Sequence, residues 1–284
     1  MSMSELITPI KRKVLDSVKL ALEEDIGIGD VTGELIDPQK SQTASLICRE
    51  ESVLCGKEWF NAAFELIDEQ VEIIWKKKEG DLIEKDSEIA IIKGNSRCMV
   101  ASERTALNFL QMMSGIAFKT YNYQKQLAGS KTKLLDTRKT IPGLRYEQKY
   151  SVLIGGGQNH RMGLYDEALI KENHLNSVNS IEEAVTSLRA NHVKKIEVEV
   201  ENLEELAQAI NSKADIAMLD NFDDQDLHAA TEIANGKIKL EVSGNISIDQ
   251  LNKLKDLDID FISSGDLTKN ISATDYSLIF KKIG

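Results

Sequence analysis

The chain has 284 residues, 42% of them hydrophobic, and a formal net charge of -11. That is enough apolar material for a barrel-sized core plus a smaller one, which excludes wholesale disorder. An acidic chain repels a polyanion over most of its surface, so a nucleic-acid partner is excluded. No run approaches the length of a membrane span, and a cytoplasmic location is expected.

The first predicted element is a helix. Thr8 serves as its cap and Pro9 as its first residue, and Ile10, Val14, Val18 and Leu22 repeat every four positions as far as about Asp25. "DIGIGDVT" stops it. From about Ala44 to Val100, short apolar runs alternate with turn residues, the pattern of a β-rich sandwich or half-barrel. Its segment "KKEGDLIEKDSEIAII" is similar to the repeat of lipoyl and biotinyl carrier domains in architecture only, since no lysine sits at a hairpin tip. Cys48, Cys55 and Cys98 form no Cys-x-x-Cys pair and are expected as free thiols.

Ser102 is placed as the cap of a long, largely buried helix beginning "SERTALNFLQMMSGIA". Arg104 then falls in the first turn, where a cation opposes the helix dipole. It is either a surface residue paired with an acid or a residue kept for an anion.

Beyond this helix short apolar runs each end in a polar residue, and from Ile181 helical segments separate them. Lys171, Glu199, Asp220, Ser243 and Ser264 mark successive run ends, 28, 21, 23 and 21 residues apart. Such a repeat predicts parallel strands and a βα barrel, in which residues at the carboxyl ends of the strands share one mouth. The expected class is therefore α/β, with residues 1–112 as an N-terminal domain and 113–284 as the barrel.

The cations are concentrated there. From Lys131 to Lys171 eight Lys and Arg face four Asp and Glu, a window of +4 in a chain whose other residues sum to -15. Arg138 and Arg161 have the fork geometry to clamp carboxylates, while Lys139 and Lys171 are compact charges suited to phosphate or pyrophosphate. His160 precedes Arg161 after "IGGGQN", which lacks the spacing of a dinucleotide fingerprint. Glu199 and Asp220 on neighbouring strand ends suggest Mg2+ held partly through substrate, with Glu197 and Glu201 on the same face as Glu199. The alternative is that these acids are counter-ions to the cations. "SGN" at 243–245 and "SGD" at 264–266 are turns of the kind that bind phosphate through backbone N–H groups.

The motifs "EEDIGIGDVT", "SERTALNFLQMMSGIA", "DTRKTIPGLR", "GGGQNHR", "LIKENH", "IEVEVEN", "MLDNF", "LEVSGNIS" and "ISSGDLT" together resemble the quinolinate phosphoribosyltransferases. The resemblance implies conversion of quinolinate and phosphoribosyl pyrophosphate to nicotinate mononucleotide, pyrophosphate and carbon dioxide in NAD synthesis. It implies an N-terminal α/β sandwich and an incomplete, roughly seven-stranded βα barrel. It also implies a homodimer with shared active sites, and a hexamer of dimers as a further assembly. Carried over by motif, Arg104, Arg138, His160 and Arg161 face the quinolinate carboxylates, and Thr137 is a further substrate-binding residue. Lys139, Lys171, Ser243, Gly244, Asn245, Ser264, Gly265 and Asp266 face the phosphoribosyl donor, with Lys139, Lys171, Glu199 and Asp220 as the catalytic set. Ser264 and Asp266 depart from the family pattern, and Asp266 would repel a phosphate unless it points away. Two other readings remain at this point: a related transferase using nicotinate as acceptor, and a barrel that binds phosphate or dicarboxylate ligands without turnover.

Overall fold

A computed structural model describes residues 8–244 and 246–281. The chain forms two compact units, each assembled from non-consecutive stretches. The first takes residues up to Tyr121, Pro142–Gly156 and those from Ile271; the second takes Asn122–Ile141 and Gly157–Asn270. This interleaving differs from a single boundary after residue 112.

In the first unit an antiparallel sheet has the order β12 (Tyr276–Phe280), β1 (Ser41–Cys48), β5 (Ser87–Asn95), β3 (Glu72–Trp75), beside a two-stranded pair of β2 (Ser52–Val53) and β4 (Leu82–Ile83). A bulge lies between Leu46 and Ile47 where β1 pairs β5. The C-terminal strand β12 closes against β1, so the last strand does not belong to the barrel. Trp59, Phe60 and Phe64 fill the centre with Leu46, Ile89 and Ile92. They come from a helix, Lys57–Glu65, inside the stretch read from its pattern as β-rich. Its start is capped from a distance: the half-buried Glu79 carboxylate accepts from Gly56 N–H at 2.7 Å and Lys57 N–H at 3.2 Å, satisfying donors that a helix leaves open.

Two helix starts differ from expectation. The first helix is Lys11–Ile26, with Ile10 as N-cap and no side-chain cap. Val14, Val18 and Leu22 are buried as their spacing predicts, but Ile10 is exposed and gives its N–H to the Tyr146 hydroxyl at 2.7 Å. The long helix is Ser96–Gln126, six residues earlier than Ser102. Asn95 Oδ1 accepts from Arg97 N–H at 3.0 Å and Cys98 N–H at 3.2 Å and is the true cap. Ser102 instead bonds back to the Cys98 carbonyl at 2.9 Å. Arg104 therefore lies in the helix interior, exposed, and the dipole argument does not apply to it.

The second unit is a six-stranded, all-parallel sheet of order β6 (Lys133–Leu135), β11 (Phe261–Ser264), β10 (Lys239–Gly244), β9 (Ile216–Asp220), β8 (Ile196–Val200), β7 (Ala168–Ile170). Gln158 adds an isolated parallel bridge to Leu135 at the β6 edge, a single residue where a seventh strand was expected. With helices following its strands, this is the incomplete barrel. Four of those helices begin where the sequence puts a capping side chain: Ser180, Asn202, Asp223 and Ser247 each accept from a backbone N–H three residues on. Val198, Val200, Leu219 and Leu240 are buried on the outward faces of the strands, leaving the alternate positions to the interior. Cys48 and Cys55 are buried, Cys98 is half-buried, and all three are free thiols. Among the described residues no helix is long and apolar enough to cross a membrane.

Candidate active site

At the carboxyl end of the barrel a cavity of about 270 Å³ is bordered by Thr137, Arg138, Lys139, His160, Arg161, Lys171, Glu199, Asp220, Ser243 and Gly244, joined by Leu169, Met218 and Ser263. Ten of the residues singled out from sequence thus meet in one place. Strand register explains it, because Asp220 pairs with Ser243 and Ser243 with Ser263, so side chains from neighbouring strands stand at one level.

Past the end of β6, the fully buried Asp136 organises one wall. Its carboxylate accepts the His160 backbone N–H at 2.9 Å and the Asn159 side-chain amide, tying the "GQNHR" segment to the strand end. His160 is held at both ring nitrogens: Nδ1 accepts from Arg161 N–H at 2.7 Å, and Nε2 lies 3.0 Å from Glu197. Arg161 is buried and donates to the Glu167 carbonyl at 3.2 Å. Burial lowers its pKa, and the neighbouring Arg138 lowers it further. Two guanidinium groups close enough to repel each other describe a place for an anion.

The opposite wall carries the acids. Lys171 pairs with Glu199, and Asp220 accepts from the Asn221 side chain at 3.0 Å. Both carboxylates border the same cavity as the cations, and hard oxygen donors of this kind fit Mg2+ shared with a phosphorylated substrate. Glu201 borders an adjoining acidic recess with Glu172 and Glu205, which Glu199 also touches, and Glu197 is buried, so Glu199 is the member of the alternating trio that borders the cavity.

Several sequence candidates fall elsewhere. Arg104 belongs to the first compact unit. Ser264 has the opposite parity to the cavity-lining Ser263 and accepts from Asp266 N–H at 3.3 Å. Asp266 is engaged by Tyr123 at 2.8 Å and Asn270 at 2.6 Å, and is not part of the lining. Gly265 acts indirectly: a Cβ there would stand 2.7 Å from Lys139 Cδ, so only glycine leaves the lysine stem its path. Asn245 lies outside the described residues. The sequence reading missed Leu169, Met218 and Ser263, although counting back by two from the markers Lys171 and Asp220 finds Leu169 and Met218.

Two family descriptions match, the N-terminal domain of quinolinate phosphoribosyl transferase over residues 30–114 and its C-terminal domain over 116–279. A Bacillus subtilis protein called a probable nicotinate-nucleotide pyrophosphorylase (carboxylating) is 39% identical over 257 residues, which cover 90% of this chain and 89% of that one. An Arabidopsis thaliana protein of the same designation, described as chloroplastic, is 37% identical over 92% of this chain and 81% of its own length. The solved nicotinate-nucleotide pyrophosphorylase of Francisella tularensis superposes with a TM-score of 0.93 at 45% identity, covering 96% of this chain and 98% of that one. With both domains matched in order and nearly the whole chain aligned, the protein belongs to the quinolinate phosphoribosyltransferase family.

Proposed function

We infer that this chain transfers the phosphoribosyl group to quinolinate with loss of carbon dioxide, giving nicotinate mononucleotide for NAD synthesis. The observation that carries it is the convergence of Arg138 and Arg161 on a cavity that also holds Lys139, Lys171, Glu199 and Asp220. A dicarboxylate matches two guanidinium forks, whereas nicotinate, with one carboxylate, would leave the second charge uncompensated.

In the proposed division of labour, Arg138 and Arg161 orient the pyridine so that its ring nitrogen faces the anomeric carbon. Thr137 and His160 border the same cavity. Lys139 and Lys171 receive the donor's phosphates and draw off the charge that develops on departing pyrophosphate. As that bond breaks the ribose gains cationic character, which an adjacent carboxylate, Glu199 or Asp220, stabilises. The ring nitrogen then bonds to the anomeric carbon. The quaternised ring accepts the electron pair left when the neighbouring carboxylate departs as carbon dioxide, and that carbon takes up a proton. Before substrates arrive the Lys171–Glu199 pair keeps both charges compensated. Glu199 and Asp220 are also the residues that would hold Mg2+, which when bound supplies charge neutralisation at the leaving group. The phosphates of the donor extend toward Ser243 and Gly244.

A homodimer that shares its active sites, Arg104 of one subunit serving the other's cavity, belongs to the same proposal. In its favour, Leu20, Ile28, Val31 and Leu35 are exposed on the first unit, and Leu20 also lines a groove of about 400 Å³ with Phe109 and Met112. A hexamer of such dimers would be a further level. Three free thiols support residence in a reducing compartment, the cytoplasm. The test is direct: carboxyl-labelled quinolinate is supplied with phosphoribosyl pyrophosphate and Mg2+. Release of labelled carbon dioxide with equimolar nicotinate mononucleotide is expected, with loss of both on chelation. Turnover of nicotinate in preference to quinolinate would refute the reading.

A further inference from the structure

Lys139 lies on a stretch that is neither strand nor helix, and it is exposed. Ordering a lysine with a long flexible stem costs entropy, so a turn that presents one to phosphates has to be held from outside. Three contacts hold this one. Its N–H donates to Thr137 Oγ1 at 3.0 Å, and its carbonyl accepts from Thr268 Oγ1 at 2.8 Å. Its stem lies so close over Gly265 that a Cβ there would stand 2.7 Å from Lys139 Cδ. The last two contacts come from one segment, the turn after β11 and the short helix Asp266–Lys269.

That segment has an anchor of its own. Asp266, its first helical residue, receives the Tyr123 hydroxyl on Oδ2 at 2.8 Å and the Asn270 amide on Oδ1 at 2.6 Å. Tyr123 is buried in the last turns of the long helix Ser96–Gln126, so a four-residue helix is tied to a rigid one. Burial, then the Asp266 carboxylate, raises the Tyr123 pKa and keeps on the phenol the proton that it donates. Both oxygens of Asp266 are thereby engaged, and the residue does not border the cavity, which answers the repulsion that an acid here would exert on a phosphate. Thr268 is wholly buried. Valine would pack in its place equally well, but only a hydroxyl reaches the Lys139 carbonyl.

We propose that Thr268 is a positioning residue for Lys139, and that Tyr123 and Asp266 keep Thr268 in register by fixing the short helix that carries it. This rests on the reading that Lys139 meets the donor's phosphates. The barrel thus holds an exposed cation by its backbone and leaves the ammonium group to the ligand.

Relaxation of nitrogen-15 lysine-labelled protein, with Lys139→Arg used only to assign the signal, tests the bracket without any substrate. The Lys139 amide should have an order parameter near the rigid value of about 0.85 in the wild type and in Thr268→Ser, and fall toward about 0.6 in Thr268→Val. An amide already mobile in the wild type, or one left rigid by Thr268→Val, overturns the proposal. Kinetics give a second reading. Thr268→Val should raise the donor KM about fivefold with the quinolinate KM nearly unchanged, and Thr268→Ser should restore it. Tyr123→Phe should raise the donor KM about twofold and add nothing on top of Thr268→Val. Binding of phosphoribosyl pyrophosphate by calorimetry closes the cycle: in the Lys139→Ala background Thr268→Val should cause no further loss. Equal rises for both substrates, a Ser variant as impaired as the Val variant, or additive losses with Lys139→Ala would overturn it. A wild type that binds no donor would instead count against the activity assignment, with the amide measurement still deciding the bracket.

Discussion

Arg161 is held at two points, by its own backbone to His160 and by its guanidinium to the Glu167 carbonyl, yet it sits beside another arginine. That arrangement costs stability in the empty protein and is recovered when an anion binds. Arg138→Ala or Arg161→Ala should therefore weaken quinolinate by about 2 to 5 kcal/mol and the donor by much less. Separate KM and product-inhibition measurements for the two substrates check this, and equal losses would remove the assignment. Gly265→Ala should act on the other substrate. The added methyl meets the flexible stem of Lys139 rather than backbone, so the fold should survive while donor binding weakens. A changed donor KM with an unchanged melting temperature is the expected signature. A third effect concerns pH. Glu241 is pushed up to about 8 by burial, so its proton uptake on folding favours the native state fully below the ordinary carboxyl range, and that contribution is lost as pH rises toward 8. Glu241→Gln lacks the titration, and its unfolding midpoint in urea should therefore improve relative to wild type between pH 5 and pH 8.5.

Elements were legible in the sequence where a local device defines them. The four barrel helices start at Ser180, Asn202, Asp223 and Ser247 because each side chain closes on an N–H in its own segment, information held within four residues. The helix Lys57–Glu65 was not legible, since its start is satisfied by Glu79, far along the chain, and it is a nine-residue segment set among strands. Ser102 misled for a related reason: "SRCMV" before it lacks a clear apolar period, and the capping residue, Asn95, is also the last residue of β5. Asn95→Ala should cost about 1 kcal/mol in urea unfolding, and Ser102→Ala less than that, because a mid-helix hydroxyl bonding back to a carbonyl adds little. Gly115→Ala should be the more damaging change. Its Cβ would stand 2.0 Å from the Ser272 carbonyl oxygen, backbone that must move aside, at a cost of about 1 to 3 kcal/mol.

For the whole molecule, the strand-end markers located the cavity because parallel strands put their carboxyl ends together, a property of the repeat rather than of any single motif. What the repeat could not disclose is the interior layer, where Glu197 and Glu241 read as ordinary alternating acids until their burial is known. Nor could it disclose that β12 pairs with β1, since such a contact joins opposite ends of the chain. Arg104 is the remaining case. It is exposed on the first unit, and its placement in the proposal depends on a second copy of the chain. Arg104→Ala and Lys171→Ala should each be inactive alone if both serve catalysis. Should they lie on opposite sides of a shared site, mixing them after reversible dissociation gives dimers of which half are heterologous. Each such dimer has one doubly altered site and one intact site, so about a quarter of wild-type activity should return. Sites built within single chains give no recovery, because every chain then carries one lesion in its own site. Subunit exchange is followed independently by mass-tagged copies, and full exchange without regained activity would place Arg104 outside the partner's cavity.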